Sequence, residues 1–272
     1  MNKQIHIVMS YCNRKAQTIN TLQSINKSKY TNNVNVIIVD DCSEDTEQLN
    51  DIINNYSFSV TILPVTKDKK NWHNPCVTYN YGFIHTQAQD GDIIIIQNPE
   101  CTHNGDIIEY CLNNTTDENY VVFNCASLDK QQTDEYIKTN SFKSSNIIDN
   151  ASDVNSYDGN VTWYVHKKYR PKPYHFCSSI TYKNLKKLNG FDLDFRSGHG
   201  FDDDEIILRI KNLNLKINYV DNPHVYHLWH ERAPIDVNII NKYRKNEKIF
   251  FEKKKLTNYT ANNNTFFGKK NK

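Results

Sequence analysis

What this chain lacks narrows it first. Its seven cysteines, at 12, 42, 76, 101, 111, 125 and 177, are odd in number and include no CxxC pair. That argues against a zinc ribbon or a disulfide framework, and scattered thiols fit a reducing, cytoplasmic setting. Long hydrophobic runs are missing too. The N-terminus, MNKQIHIVMSYCNRK, is apolar for a few residues and then polar, so it reads as neither a secretory signal nor a membrane span. Net charge is nearly absent: 33 basic residues against 31 acidic ones leave +2, which gives no overall bias toward nucleic acid. With eight glycines in all, the N-terminal region has no Gly-rich basic loop to cradle a triphosphate, which argues against a sugar-phosphate nucleotidyltransferase.

What is there is a globular composition, 38% hydrophobic and 12% aromatic with 17 Tyr, over 272 residues. That length can bury a real core. Apolar runs at 5–9, 34–39, 58–63 and 93–96 read as strands, and amphipathic segments at 16–25, 46–55 and 75–88 read as helices between them. Strand and helix in alternation call for an α/β fold, a mainly parallel sheet flanked by helices. Ligands in such sheets gather at the C-terminal ends of the strands. Asn13, Arg14, Asp40, Asp41 and Glu100 all fall there, the last after Pro99, which cannot continue a central strand. Asp40 caps the turn while Asp41 binds, or the reverse.

Further on, a helix is expected near 106–112 and a strand at 120–124. Residues 127–160 read as a polar surface excursion, the kind of long loop that often binds or covers a ligand. Aromatic residues then concentrate around basic ones in 163–176. Trp163, Tyr164 and Tyr174 suit either core packing or a platform for the apolar face of a sugar. A strand at 178–182, a helix at 183–188 and short strands at 216–220 and 224–227 follow. A basic amphipathic helix at 241–255 comes after a composition change near 235, and the last residues read as disordered. The division is therefore a main domain, 1–235, and a C-terminal basic helix with a flexible tail, 236–272. That helix suits packing, or a peripheral membrane contact.

One stretch stands out, Ser197-Gly-His-Gly-Phe-Asp-Asp-Asp-Glu-Ile-Ile-Leu-Arg209. Glycines turn the chain, and four acids then open a helix, where unpaired backbone N–H groups and the helix dipole favour carboxylates. Capping alone would explain such a cluster. Glu205 and Arg209, spaced i and i+4, read as a helix-surface ion pair. His227 suits either a buried core histidine or a ligand, and His230 a core or supporting position.

Taken in order, these motifs resemble the GT-A glycosyltransferases of the large family 2 type, over residues 5–230. Ser10-Tyr-Cys-Asn-Arg14 is similar to the family's opening turn, and Asp40-Asp-Cys-Ser43 to its Asp-Asp-Gly-Ser. The resemblance implies that Asn13, Arg14, Asp41, Asn80 and Asn98 contact a nucleotide-sugar donor, a UDP-sugar. Where the family carries Asp-x-Asp this chain has Asn98-Pro99-Glu100. Glu100 and His227 are then the expected ligands of a Mn2+ or Mg2+ cofactor. Gly200-Phe-Asp-Asp-Asp-Glu resembles the acidic element of inverting transferases, which implies Asp203 as the catalytic base and Asp202 as an acceptor contact; Trp163, from the aromatic stretch, is the other expected acceptor contact. A metal can stabilise the departing diphosphate while a carboxylate takes the acceptor's proton. The implied activity is inverting transfer of a sugar to a glycan or polysaccharide hydroxyl. The absent Asp-x-Asp is what a non-catalytic carbohydrate-binding relative would show.

Overall fold

In the computed structural model, residues 3–140, 163–232, 234–256 and 259–269 are described. The N-terminal half builds as the hydrophobic pattern requires. β1 (Ile5–Tyr11), β2 (Val34–Asp40) and β3 (Ser59–Pro64) pair in parallel, and β4 (Ile93–Gln97) joins the other side of β1, also in parallel. The helices between them are α1 (Lys15–Ile25) and α2 (Cys76–His85). All five residues of β4 are buried, as a strand covered on both faces should be.

Residues 46–55, expected as a helix, contain a short 3-10 turn at Asp45–Glu47 and irregular backbone. A tertiary contact overrides the local preference. The Glu47 carboxylate accepts a hydrogen bond from the backbone N–H of Lys15 at 2.7 Å, and its carbonyl accepts from the Tyr11 hydroxyl. Glu47 therefore satisfies a donor at the start of α1, and the segment is held against the end of β1.

Beyond β4 the sheet becomes mixed. A turn through Pro99 leads at once into β5 (Cys101–Asn104), a strand the sequence reading did not anticipate, which pairs antiparallel with β9 (Lys216–His227). The expected helix forms as α3 (Ile107–Asn114) and the strand as β6 (Asn119–Ser127). One edge of β6 carries β8 (Cys177–Thr181) and β7 (Trp163–Val165), both antiparallel, and the other carries β9 in parallel. The two short strands expected at 216–220 and 224–227 are one strand, with a shift in register opposite residues 123–125. The nine-stranded sheet has the order β3-β2-β1-β4-β8-β6-β9-β5, with β7 beside β6.

The polar excursion opens with a helix, α4 (Lys130–Thr139), started by a capping box in which Asp129 and Gln132 bond each other's backbone N–H groups. The rest of that excursion lies outside the described residues. α5 (Tyr182–Leu188) and α6 (Asp202–Asn212) complete the main body.

The C-terminal part is built into this body. In α7 (Val237–Lys253), Asn246 is fully buried and donates to the carbonyls of Phe195 at 3.0 Å and Gly200 at 2.8 Å. Gly198 passes so close that a Cβ there would collide with the Asn246 side chain. Residues 259–269, expected to be disordered, pack instead. Phe267 is 1% exposed against Phe83 and Tyr182, and Asn189 bonds the backbone of Ala261, Thr265 and Phe267.

Candidate active site

The site forms where β1, β2, β4 and β9 end and β8 begins. Backbone geometry brings its first cluster together. After β4, Cys101 N–H bonds the Asn98 carbonyl at 3.1 Å, closing a turn through Pro99. Buried Gln97 braces it, donating to the Cys101 carbonyl at 2.7 Å and meeting His103 Nε2 at 3.0 Å. Glu100, at the turn's end, is 2% exposed. Its carbonyl accepts from Leu228 N–H at 2.9 Å, which places the residues just after β9 against it.

Three cationic or imidazole groups meet the Glu100 carboxylate. Oε1 lies 3.1 Å from His227 Nε2 and 3.7 Å from His230 Nε2, and Oε2 accepts from Arg14 at 3.0 Å. Burial alone would raise the Glu100 pKa, but Arg14 and the two histidines outweigh it and hold the carboxyl well below the usual range. Burial and the neighbouring Arg14 pull His230 down to about 4. It is therefore neutral near pH 7, the form that can donate a lone pair to a metal. His230 reaches Glu100 because β9 has ended at His227, so the alternation of a strand no longer governs it. Tyr164, stacked on Phe176 and edge-on to His227 at 4.8 Å, walls this cluster.

These residues fit a divalent ion. One carboxylate oxygen and two imidazole nitrogens lie within 4.8 Å of one another, and the 3.1 Å between Glu100 and His227 suits ligands each about 2.1 Å from one ion. The two imidazoles suit a transition metal, while the carboxylate also suits manganese or magnesium. Arg14 occupies the opposite carboxylate oxygen, leaving Oε1 to the histidine side.

The second cluster is the acidic start of α6, and its four acids face different partners. Asp202 is 6% exposed and accepts from Asn74 at 2.8 Å; burial and the adjacent Asp203 raise its pKa. Asp204 accepts from the Tyr174 hydroxyl at 2.9 Å. Glu205 and Arg209 are not a surface pair. They are 0% and 4% exposed, joined by two hydrogen bonds of 2.6 Å, and Arg209 also donates to the Leu188 carbonyl.

Asp203, partly open like Asp204, has a side chain 26% exposed. Its Oδ1 accepts from the His175 backbone N–H at 3.1 Å and lies 2.5 Å from ring Nδ1 of the same residue. His175 is itself fixed between Tyr79, edge-on at 5.0 Å, and Phe191 at 4.9 Å. Burial would lower the His175 pKa, but Asp203 more than reverses this and raises it. Tyr79 links the clusters, since its hydroxyl donates to Asn98 Oδ1 at 3.1 Å.

The expected donor side divides. Asp40 caps the turn after β2 by accepting from Ser43 N–H at 2.9 Å, while Asp41 faces the following loop and takes Lys70 at 2.8 Å and the Trp72 indole N–H at 3.1 Å. Asn13 bonds the same turn, accepting from Glu44 N–H at 3.0 Å. Asn80 does not face a ligand. It is 2% exposed, and its side-chain amide both donates to and accepts from the backbone of Phe191, at 2.7 and 2.8 Å. Trp163 is likewise no sugar platform: 6% exposed, it packs in a small cluster with Leu128, Tyr136 and Leu228. Asp202, expected at the acceptor, points into the protein toward Asn74. Sequence reasoning missed His175 and the approach of His230. His175 lay in the aromatic stretch already noticed, but no spacing ties 175 to 203.

The model of glycosyl transferase family 2 matches residues 6–189. This chain belongs to that family. A second family model, the N-terminal domain of galactosyltransferase, matches residues 165–231, which span the His175, Asp203 and His227 positions. Solved structures agree in fold. S. aureus TarS 1-349 in complex with UDP-GlcNAc matches with a TM-score of 0.57 at 12% identity, over 88% of this chain and 61% of that one. Mannosyltransferase PcManGT from Pyrobaculum calidifontis, in complex with GDP-Man and Mn2+, matches with a TM-score of 0.54 at 13% identity, over 86% and 59%. No curated protein sequence matches the chain. This family 2 glycosyltransferase thus has the GT-A fold, and it spans about three fifths of the length of these solved relatives. Among its described residues no helix is long and apolar enough to cross a membrane.

Proposed function

We propose that this glycosyltransferase moves a sugar from a nucleoside diphosphate donor, a UDP-sugar, to a hydroxyl of a glycan or polysaccharide, with inversion at the anomeric carbon. The observation that carries this reading is Asp203. It is one of the two partly open acids of the run, and its Oδ1 is fixed by His175 while no bond to its Oδ2 is seen among the described residues. A general base needs that combination of fixed orientation and free lone pair. Asp203 Oδ2 takes the acceptor proton as the hydroxyl oxygen attacks, and a single base with no covalent intermediate suffices for inversion.

Glu100, His227 and His230 are the residues that would hold Mn2+ or Mg2+. When bound, the ion supplies Lewis-acid stabilisation of the departing diphosphate. Arg14 adds a fixed positive charge beside them and keeps Glu100 ionised. Asn13 and Asp41, on the turns after β1 and β2, are assigned to the donor's nucleoside, and Asn98 to the diphosphate side. The UDP and UDP-GlcNAc complexes of TarS support the choice of base.

A thermal-shift panel of UDP, GDP, CDP and dTDP, with and without Mn2+, on wild type and Glu100→Ala tests this. Ligand at about one hundred times Kd adds about 2.7 kcal/mol, which in a chain of this size is a rise of roughly 5–10 °C. The expected result is a UDP shift that needs Mn2+ and is lost in Glu100→Ala. A shift indifferent to metal would remove the Glu100 and His227 assignment. No shift with any nucleotide would favour a carbohydrate-binding relative without turnover. NMR of the product anomer separates inversion from retention.

A further inference from the structure

Exposed apolar side chains are not spread evenly over this molecule. Of the nine large ones exposed among the described residues, six lie between 235 and 256: Ile235, Val237, Ile240, Tyr243, Phe251 and Leu256. Such a concentration marks a contact surface rather than scattered exposure. The helix that carries most of them is two-faced. Its inner side is spoken for by Asn246 on the 195–200 loop, by Lys242, whose carbonyl accepts from His199 N–H at 3.2 Å, and by Lys253 on Asp192 at 2.6 Å.

Opposite Asn246, residues 237, 240, 244, 248 and 251 recur at helical spacing and share one face. They are Val237, Ile240, Arg244, Lys248 and Phe251, all exposed. Two cations are flanked by apolar groups there and no acid is among them. Across 241–256 five Lys or Arg are exposed, at 244, 245, 248, 254 and 255, against one exposed acid, Glu252. Four of those five cations are Lys, which protein interfaces disfavour. An anionic lipid surface suits them: the aliphatic stems and rings enter the headgroup boundary while the charges meet phosphates.

We infer that the outer face of α7 docks this glycosyltransferase on an anionic membrane surface, lying in the interface without spanning it. Because the inner face of the same helix holds the loop leading to Asp203, docking sets the acidic end of the site beside the lipid. The inference is independent of the donor and the metal.

Sedimentation of the full chain with vesicles tests it, using phosphatidylcholine alone and phosphatidylcholine with about one third phosphatidylglycerol, at about 0.1 M salt. Wild type should sediment with the anionic vesicles and not the neutral ones. Each Lys or Arg at such a surface contributes about 1 kcal/mol, so Arg244→Gln with Lys248→Gln should weaken binding about 30-fold. Ile240→Ser with Phe251→Ser should weaken it as well. Both pairs should keep wild-type melting temperature and donor hydrolysis. Failure to bind anionic vesicles, or unchanged binding by both variants, would overturn the inference. A concentration-dependent dimer that the same substitutions dissociate would also overturn it, and assign the face to a second copy.

Discussion

Replacing Arg209 with Met should unmask a buried charge, and pH measures it. Glu205 is wholly inaccessible, and the guanidinium of Arg209 is its bidentate partner. Burial pushes the Glu205 carboxyl above its ordinary value of 4.5, and Arg209 pulls it part of the way back. Without Arg209 its pull is gone, Lys253 alone still opposes burial, and the carboxyl rises further toward the neutral form in the folded chain while the unfolded chain ionises it. The penalty is then about 1.4 kcal/mol for each pH unit above the ordinary value. Where the carboxyl stays neutral, that reaches about 4 kcal/mol at pH 7.5 against about 1.4 kcal/mol at pH 5.5, the former within the 3–5 kcal/mol typical of a broken buried pair. An acid whose folded pKa is raised loses stability as pH rises, so the variant should be worst at neutral pH and recover toward acid. Urea unfolding at the two pH values reads this out by linear extrapolation. Glu205→Leu combined with Arg209→Met should restore much of the loss, because no charge is then buried. A loss under about 1 kcal/mol, or an equal loss at both pH values, would mean that the pair is screened by solvent and the reasoning is wrong.

Asp203→Asn should cut turnover by about 100- to 10,000-fold while keeping the nucleotide-induced rise in melting temperature; comparable loss of both would deny it the role of base. Asn80→Ala should cost about 1–3 kcal/mol by leaving the Phe191 N–H unpaired, with nucleotide affinity unchanged by calorimetry. A fall in that affinity would return Asn80 to the donor site. Phe267→Ala should cost about 3–5 kcal/mol, seen in urea unfolding, and a neutral result would show that the tail does not belong to the core.

Legibility followed the range of the interactions. β1, β2, α1, α2 and β4 are written in local hydrophobic period and were readable to within a few residues. So was the acidic start of α6, where glycine turns and a run of carboxylates fix the helix end. Segment 46–55 was misread because Glu47 answers to Tyr11 and Lys15, more than thirty residues away. β5 was unreadable since Cys101–Asn104 is short and earns its place by pairing with β9 over a hundred residues later. At the site, Glu100 and His227 could be placed by resemblance, and the structure brings them together. His175 could not, because its contact with Asp203 depends on how the chain enters β8. Asn80, expected at the donor by resemblance, and Trp163, which the aromatic stretch offered as either core or sugar platform, are both turned inward.

The bonds from Asn246 to the carbonyls of Phe195 and Gly200 bear on how the enzyme can be dissected. A division at residue 235 looks natural on composition, but it removes the helix that holds the 195–200 loop. Ending the chain there would strip the amide from two carbonyls and uncover Phe201, which rests on Tyr243 and Phe250. The smallest unit able to hold Asp203 in place therefore includes α7, and a fragment made without it is an altered site rather than a trimmed enzyme.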